Sequence, residues 1–197
     1  MINYQKELDQ IISQLTQKPR LALHSCCGPC STYVLEYLTQ YFDVTLFFYN
    51  PNIHPESEYK SRLDAQKRVC ELFSVDVVEC DYDVQSFFDK TKGLENEAEG
   101  GARCTVCFEL RLMHTIEKAL GMGGFDFVAT TLTVSPHKNA PLINEIGERL
   151  TQDKNITWLP SDFKKKNGYL RSIQLSKQHK IYRQDYCGCI YSKQKTV

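Results

Sequence analysis

This chain is short of several things, and each absence narrows what it can be. No apolar run reaches the length of a membrane-spanning helix, so no membrane span is expected. The first residues, Met1-Ile-Asn-Tyr-Gln-Lys-Glu-Leu8, lack the basic-then-apolar pattern of a secretory leader. There is no internal repeat and no low-complexity segment, as suits one folded domain. No Gly-rich phosphate loop follows the first strand, so use of ATP is not expected. Net charge is absent too, since 24 basic residues balance 24 acidic ones. Together these absences point to a cytoplasmic protein, and in that compartment thiols stay reduced.

What the chain does carry is sulfur: nine cysteines in 197 residues. The count is odd and the chain is not small, so a disulfide framework is a poor explanation. Seven of the nine fall in three tight clusters: Cys26, Cys27 and Cys30; Cys104 and Cys107; Cys187 and Cys189. That grouping favours metal or redox chemistry. Cys70 and Cys80 stand alone and read as packing residues. The length suits a single domain over 1–197 with a sizeable core.

Hydrophobic spacing predicts an amphipathic helix over Tyr4–Gln17 and a buried strand over Leu21–Ser25. A helix over Ser31–Gln40 and a β-branched, aromatic strand over Phe42–Tyr49 follow. Asn50-Pro-Asn-Ile-His-Pro55 spells a loop. Beyond it the pattern gives a helix over Glu56–Phe73, a strand over Val75–Cys80 and a short helix over Val84–Lys90. The polar stretch Gly93–Gly101 delivers Cys104 to a helix that runs to Leu120. The rest reads as a strand over Phe125–Thr131, a loop over Leu132–Asn139, a helix over Leu142–Leu150 and a strand over Ile156–Leu159. A last helix lies near Ser172–His179.

Strands and helices that alternate in this way predict an α/β fold, a parallel sheet covered on both faces. In such sheets ligands gather beyond the carboxyl ends of the strands, where the winding reverses. The turns after the first and fourth strands, carrying Cys26–Cys30 and Ser135–Asn139, should flank that crevice. The first turn also lies beside a helix N-terminus, whose partial positive charge favours thiolate.

Charge is neutral in sum but lopsided. From Ser161 onward nine basic residues (Lys164, Lys165, Lys166, Arg171, Lys177, Lys180, Arg183, Lys193, Lys195) face Asp162 and Asp185, nine minus two giving +7. Residues 1–160 then carry −7. A basic end on a neutral chain suits a polyanionic partner, with a solvated surface stretch as the plain alternative.

Three readings of the cysteines compete. Cys27-Gly-Pro-Cys30 has the spelling of a thiol–disulfide exchange site, although four clustered cysteines would go unused. Cys104, Cys107, Cys187 and Cys189 could form a structural zinc site in an RNA-binding protein without catalysis. Alternatively all seven serve metal, four thiolates on an iron–sulfur cluster and the remainder on a second ion. Adjacent Cys26 and Cys27 diverge, so they reach two neighbouring centres more easily than one.

A longer set of motifs bears on the choice. His24-Ser-Cys-Cys-Gly-Pro-Cys30, Tyr49-Asn-Pro-Asn-Ile53, Arg103-Cys-x-x-Cys-Phe-Glu-Leu-Arg111 and Thr130-Thr-Leu-x-x-Ser-Pro-His-Lys-Asn139 run in sequence. Lys165-Lys-Asn-Gly-Tyr-x-Arg-Ser172, Leu175-Ser-Lys and Tyr182-Arg-Gln-Asp-Tyr-Cys-Gly-Cys189 follow them. Together they resemble the cobalamin-independent epoxyqueuosine reductases. The resemblance implies a Rossmann-like layer of the adenine-nucleotide α-hydrolase (HUP) type. It implies reduction of epoxyqueuosine at the wobble position of tRNA, with the anticodon arm and an external electron donor as partners. It also implies a 4Fe–4S cluster beside a single iron held by two cysteines and a carboxylate. Cys30 stands where some members carry Asp, which leaves the third ligand of that ion open.

The candidate metal ligands are therefore Cys26, Cys27, Cys30, Cys104, Cys107, Cys187 and Cys189. Cys26, Cys30, His137 and Asp185 are the catalytic candidates, the last two as proton donors. Ser135, His137, Lys138, Asn139, Lys164, Lys165, Lys166, Tyr169, Arg171, Tyr182 and Arg183 are candidates for substrate and tRNA contact. The segment 161–197 is expected to pack at the metal and tRNA site. Tyr182, Tyr186 and Tyr191, interleaved with charge, suit stacked single-stranded bases, core packing being the alternative. His24 reads as a packed histidine rather than a ligand.

Overall fold

The structure, a computed structural model, describes residues 2–193. Five strands form one parallel sheet: β1 (Arg20–His24), β2 (Asp43–Phe48), β3 (Asp76–Glu79), β4 (Phe127–Thr130) and β5 (Thr157–Trp158). Their order is β3-β2-β1-β4-β5, so the winding reverses between β1 and β4. In register, His24 at the end of β1 lies beside Phe47 of β2 and Thr130 of β4.

Among the described residues eight helices connect and cover the sheet: α1 (Tyr4–Ser13), α2 (Gly28–Leu38), α3 (Glu56–Phe73), α4 (Val84–Thr91), α5 (Ala102–Met122), α6 (Ala140–Thr151), α7 (Gly168–Gln178) and α8 (Ile190–Lys193). The two-residue period of the strands divides the core. Leu21 and Leu23 of β1, with Val44, Leu46 and Phe48 of β2, join Val34, Leu35 and Leu38 of α2 and Leu63 and Val69 of α3. Ala22 and Phe47 point the other way, to Phe87 of α4, Leu112 and Ile116 of α5, and Ile143 and Ile146 of α6. Both faces are thus covered, as a parallel sheet requires. No helix among the described residues is long and apolar enough to cross a membrane.

Several boundaries differ from the sequence expectation. α1 stops at Ser13 rather than Gln17, because the chain must unwind ahead of Pro19. α2 begins at Gly28, three residues earlier than expected, with Pro29 in its first turn, where a missing N–H costs nothing. Cys30 therefore belongs to the helix, not to the turn. β4 gives way to a 3-10 turn over Thr131–Val134, where loop was expected from Leu132. α7 starts at Gly168, which brings Tyr169 and Arg171 onto a helix that packs against α2. Lys195 and the side chain of Lys193, both in the basic count, lie outside the described residues.

Candidate functional site

β1 ends at the switch point, and the chain turns through Ser25 and Cys26 into α2. Cys27 is the N-cap, in extended backbone. The turn is held from below by Gln66 of α3, which is fully buried. Ser25 Oγ donates to Gln66 Oε1 at 2.7 Å, and Gln66 Nε2 donates to Ser31 Oγ at 2.9 Å. One carboxamide therefore ties the residue before the cysteines to the residue after them. α3 also crosses close beneath Gly28, where a Cβ would sit 3.0 Å from the Ala65 carbonyl oxygen. Glycine is needed there for approach rather than for an unusual dihedral.

The sulfurs of Cys26, Cys27 and Cys30 all lie within 4.8 Å of one another. Those of Cys26 and Cys27 are 3.7 Å apart. Hydrogen bonding by Cys27 and then Cys30 holds the Cys26 thiol well below its usual range, with help from the Arg111 charge and the Thr131 hydroxyl. Thr131 Oγ1 is 3.6 Å from that sulfur. The same contact with Cys26 pushes Cys27 up to about 12 and raises Cys30. Three soft donors thus lie close together, an arrangement that favours a thiophilic metal.

Cys104 and Cys107 occupy the first turns of α5, and Cys187 and Cys189 precede α8. Among the described residues these four do not form a second set of three equally close donors. Three of them, Cys187, Cys104 and Cys107, feel the charge of Lys138. Its Nζ donates to Cys187 Sγ at 3.2 Å and pairs with Glu99 at 3.8 Å. Burial opposes the ammonium charge, but Cys187, Glu99 and Cys104 outweigh burial and hold Lys138 above the usual lysine range. Burial pushes Cys107 up to about 11 against the pull of Arg111. Cys26, Cys104 and Cys189 pack on the apolar cluster that contains Cys107, whereas Cys30 packs on the opposite one.

A cavity of about 710 Å³ opens above the switch point. Cys26, Cys27, Cys30 and Cys187 line it together with Ser135, His137, Lys138, Tyr169, Arg183 and Asp185. The turns after β1 and β4 do meet, as the topology requires. Arg183 Nη2 donates to the Tyr169 hydroxyl at 3.3 Å and lies over its ring.

Other candidates sit elsewhere. Asn139 caps α6, its side chain accepting from Leu142 N at 3.2 Å. Lys164 pairs with Asp162, Lys166 with Asp9 and Arg171 with Glu36, while Lys165 is exposed. Tyr182 donates to Glu58 at 2.8 Å. Tyr186 donates to the His54 carbonyl and lies under Arg62, and Tyr191 lies under Arg103. His24 is fully buried, and burial, reinforced by Arg111, holds its pKa down to about 3, so it is a neutral packed ring. Its Nδ1 is 2.8 Å from Thr130 Oγ1. Cys70 and Cys80 are buried away from the cavity.

Sequence reading passed over Arg62, Gln66, Arg111 and Thr131. Arg62 is buried and donates to the carbonyls of Tyr186 and Cys187, so it fixes the last cysteine pair. Arg111 follows Cys107 by one helical turn on the same face of α5. That spacing, and the places of Arg111 and Thr131 within the motifs that carry the resemblance, were the available signals.

A parallel α/β sheet with a thiol triad in its switch-point crevice defines the class: a Rossmann-like protein with three cysteines placed where they could hold a metal ion. The family model of epoxyqueuosine reductase QueH matches residues 21–195. Proteins of that name from Staphylococcus epidermidis and Streptococcus pyogenes are 47% and 44% identical over 98% and 97% of this chain, and over 86% and 78% of their own lengths. That from Thermotoga maritima is 36% identical over 86% of this chain and 88% of its own. The chain belongs to the epoxyqueuosine reductase QueH family. In fold it is similar to the U34-tRNA thiolase NcsA from Methanococcus maripaludis, solved with its 4Fe–4S cluster. The TM-score is 0.57 at 15% identity, over 96% of this chain and 67% of that one.

Proposed function

We propose that this chain reduces epoxyqueuosine to queuosine at the wobble position of tRNA in the cytoplasm. In this reading its seven clustered thiols hold a 4Fe–4S cluster and one further ion, iron. The observation that carries the reading is the approach of three cysteine sulfurs to within 4.8 Å on the wall of a cavity large enough for a modified base. A four-iron cluster takes four thiolates, so seven exceed the need of one cluster. Packing supports Cys26, Cys104, Cys107 and Cys189 as the cluster ligands, leaving Cys27, Cys30 and Cys187 for the second ion.

In the reaction two electrons and two protons enter, both epoxide C–O bonds break, a carbon–carbon double bond forms and the oxygen leaves as water. When bound, the metals supply single-electron relay from an external donor and Lewis acidity toward the oxygen. The chain supplies the rest. Tyr169 and Arg183 offer a flat, cationic platform on which the base can stack. Ser135 and Lys138 hold polar groups of the nucleotide. His137 and Asp185, both on the cavity wall, can pass a proton to the departing oxygen. The basic segment from 161 onward lies against the anticodon arm, chiefly through Arg183 and Lys165, since Lys164 and Lys166 already carry acid partners.

The test is an anaerobic iron and sulfide count with spectroscopy, beside turnover of an epoxyqueuosine-bearing anticodon stem-loop. Roughly four to five irons per chain are expected. One zinc and no acid-labile sulfide would sink the reading. Cys104→Ala and Cys107→Ala should bleach the protein. Cys30→Ala should keep the colour, lose the second ion and most turnover, and Cys30→Asp should restore part of it.

A further inference from the structure

We infer that Arg111 is the fixed countercharge of the four-thiolate site, a positioning residue that sets how readily that site accepts an electron. The inference rests on the cluster reading above and goes beyond it to a side chain that is not a ligand.

Cys104, Cys107 and Arg111 share one face of α5, at spacings of three and four residues. Arg111 is 2% exposed, yet among the described residues no carboxylate pairs with it. Two of its neighbours in kind have carboxylates, and the third, Arg103, whose Nε is likewise buried without a partner, has three backbone carbonyls instead. Buried Arg62 has Glu58 at 2.7 Å, Lys138 has Glu99, and Arg103 donates to the carbonyls of Leu94, Glu95 and Glu97. Arg111 has the neutral Asn50, whose Oδ1 accepts from Nη2 at 2.5 Å, and its Nε is buried without a partner. A buried cation left in this state is costly unless an anion lies close by.

The groups that can supply the anion are Cys26, which lines the same cavity as Arg111, and Cys107, one turn before it on α5, and the Arg111 charge acts on both thiols. They come from different elements, the β1–α2 turn and α5, and both belong to the proposed cluster set. Asn50 completes the link, since its Nδ2 donates to the Ser25 carbonyl at 2.9 Å, just ahead of the cysteine turn. The guanidinium is thereby fixed relative to the thiols rather than free to follow them.

An electron added to a thiolate-bound cluster adds negative charge in a poorly screened interior. A fixed cation beside the sulfurs stabilises the reduced form and so raises the reduction potential. The neutrality of Asn50 is what leaves the Arg111 charge uncancelled.

The test measures the cluster's midpoint potential by redox titration with spectroscopic detection, on anaerobically loaded full-length protein. Arg111→Gln removes the charge. Asn50→Asp is nearly isosteric, keeps the guanidinium and cancels its charge. Arg111→Lys keeps the charge. The first two should shift the reduction equilibrium at least tenfold against reduction, about 59 mV for one electron, while Arg111→Lys stays near wild type. If Arg111→Gln fails to load, Asn50→Asp decides alone. An intact cluster with unmoved potential in Asn50→Asp would overturn the inference. So would loss of the cluster from both Arg111→Gln and Asn50→Asp with retention in Arg111→Lys, which would make Arg111 an assembly requirement. Wild-type protein without iron and sulfide would instead overturn the cluster reading, a distinguishable result.

Discussion

At the scale of single residues, the cysteines themselves were legible because metal chemistry demands their type and spacing. What aims them was not. Gln66 sits mid-helix among charged residues and reads as solvated surface, yet it is fully buried beneath the thiol turn. It bonds Ser25 and Ser31 on either side of the triad and donates to Cys70 Sγ at 3.5 Å. Gln66→Leu has about the right volume and none of these bonds. It should cost about 1–3 kcal/mol through the hydroxyls left without their partner. More tellingly, it should lower the iron retained per chain while the far-ultraviolet circular dichroism stays native. Thermal melts beside metal analysis check both parts, and full metal retention would show that the turn holds itself. Cys70→Ala, which removes only the sulfur at the edge of this network, should leave metal content at the wild-type level.

At the scale of elements, α7 is the piece whose position matters most to the cavity and whose start was misread. It packs on α2, so the helix that carries Cys30 also supports Tyr169 and Ser172. The contact is close enough that a Cβ on Gly168 would overlap the Phe163 carbonyl and the Tyr33 ring. Gly168→Ala should therefore push the first turn of α7 away from α2 and displace the Tyr169–Arg183 platform. The expected outcome is a rise in KM for the stem-loop larger than any fall in kcat, with metal content unchanged. Equal changes in both, or none, would count against the platform. The parallel sheet and the meeting of the turns after β1 and β4 could be read from alternation and switch-point logic, which depend on local patterns. The early start of α2 at Gly28, the 3-10 turn at Thr131 and the buried roles of Arg62 and Arg111 could not. Each depends on what lies across a tertiary contact, and a charged residue at helical spacing looks the same whether it meets water or a thiol.

At the scale of the whole molecule, stability should fall as the solution is made mildly acidic, and two histidines outside the thiol turn give the reason. Burial lowers the pKa of His54 and of His114 from the ordinary 6.5. His114 is stacked on Tyr49 with ring centroids 3.6 Å apart and planes 8° from parallel. In the unfolded chain both rings take up protons as pH falls through 6.5, whereas in the folded chain they do so only at lower pH. The unfolded state then binds more protons, so their contribution is intact above pH 6.5 and is lost progressively below it. The limiting slope is about 1.4 kcal/mol per pH unit for each ring. Between pH 7 and 5 the buried His24, held down to about 3, adds a share of its own to the wild-type slope, so it is the comparison with a His114 variant that isolates one ring. His114→Phe keeps the stack on Tyr49 and removes one titration. Denaturant unfolding at pH 7, 6 and 5 should show wild-type stability dropping, and the variant dropping less steeply by up to one ring's share. A variant with the same slope as wild type would mean that His114 takes up its proton equally in both states, and that its burial in the fold carries no electrostatic cost.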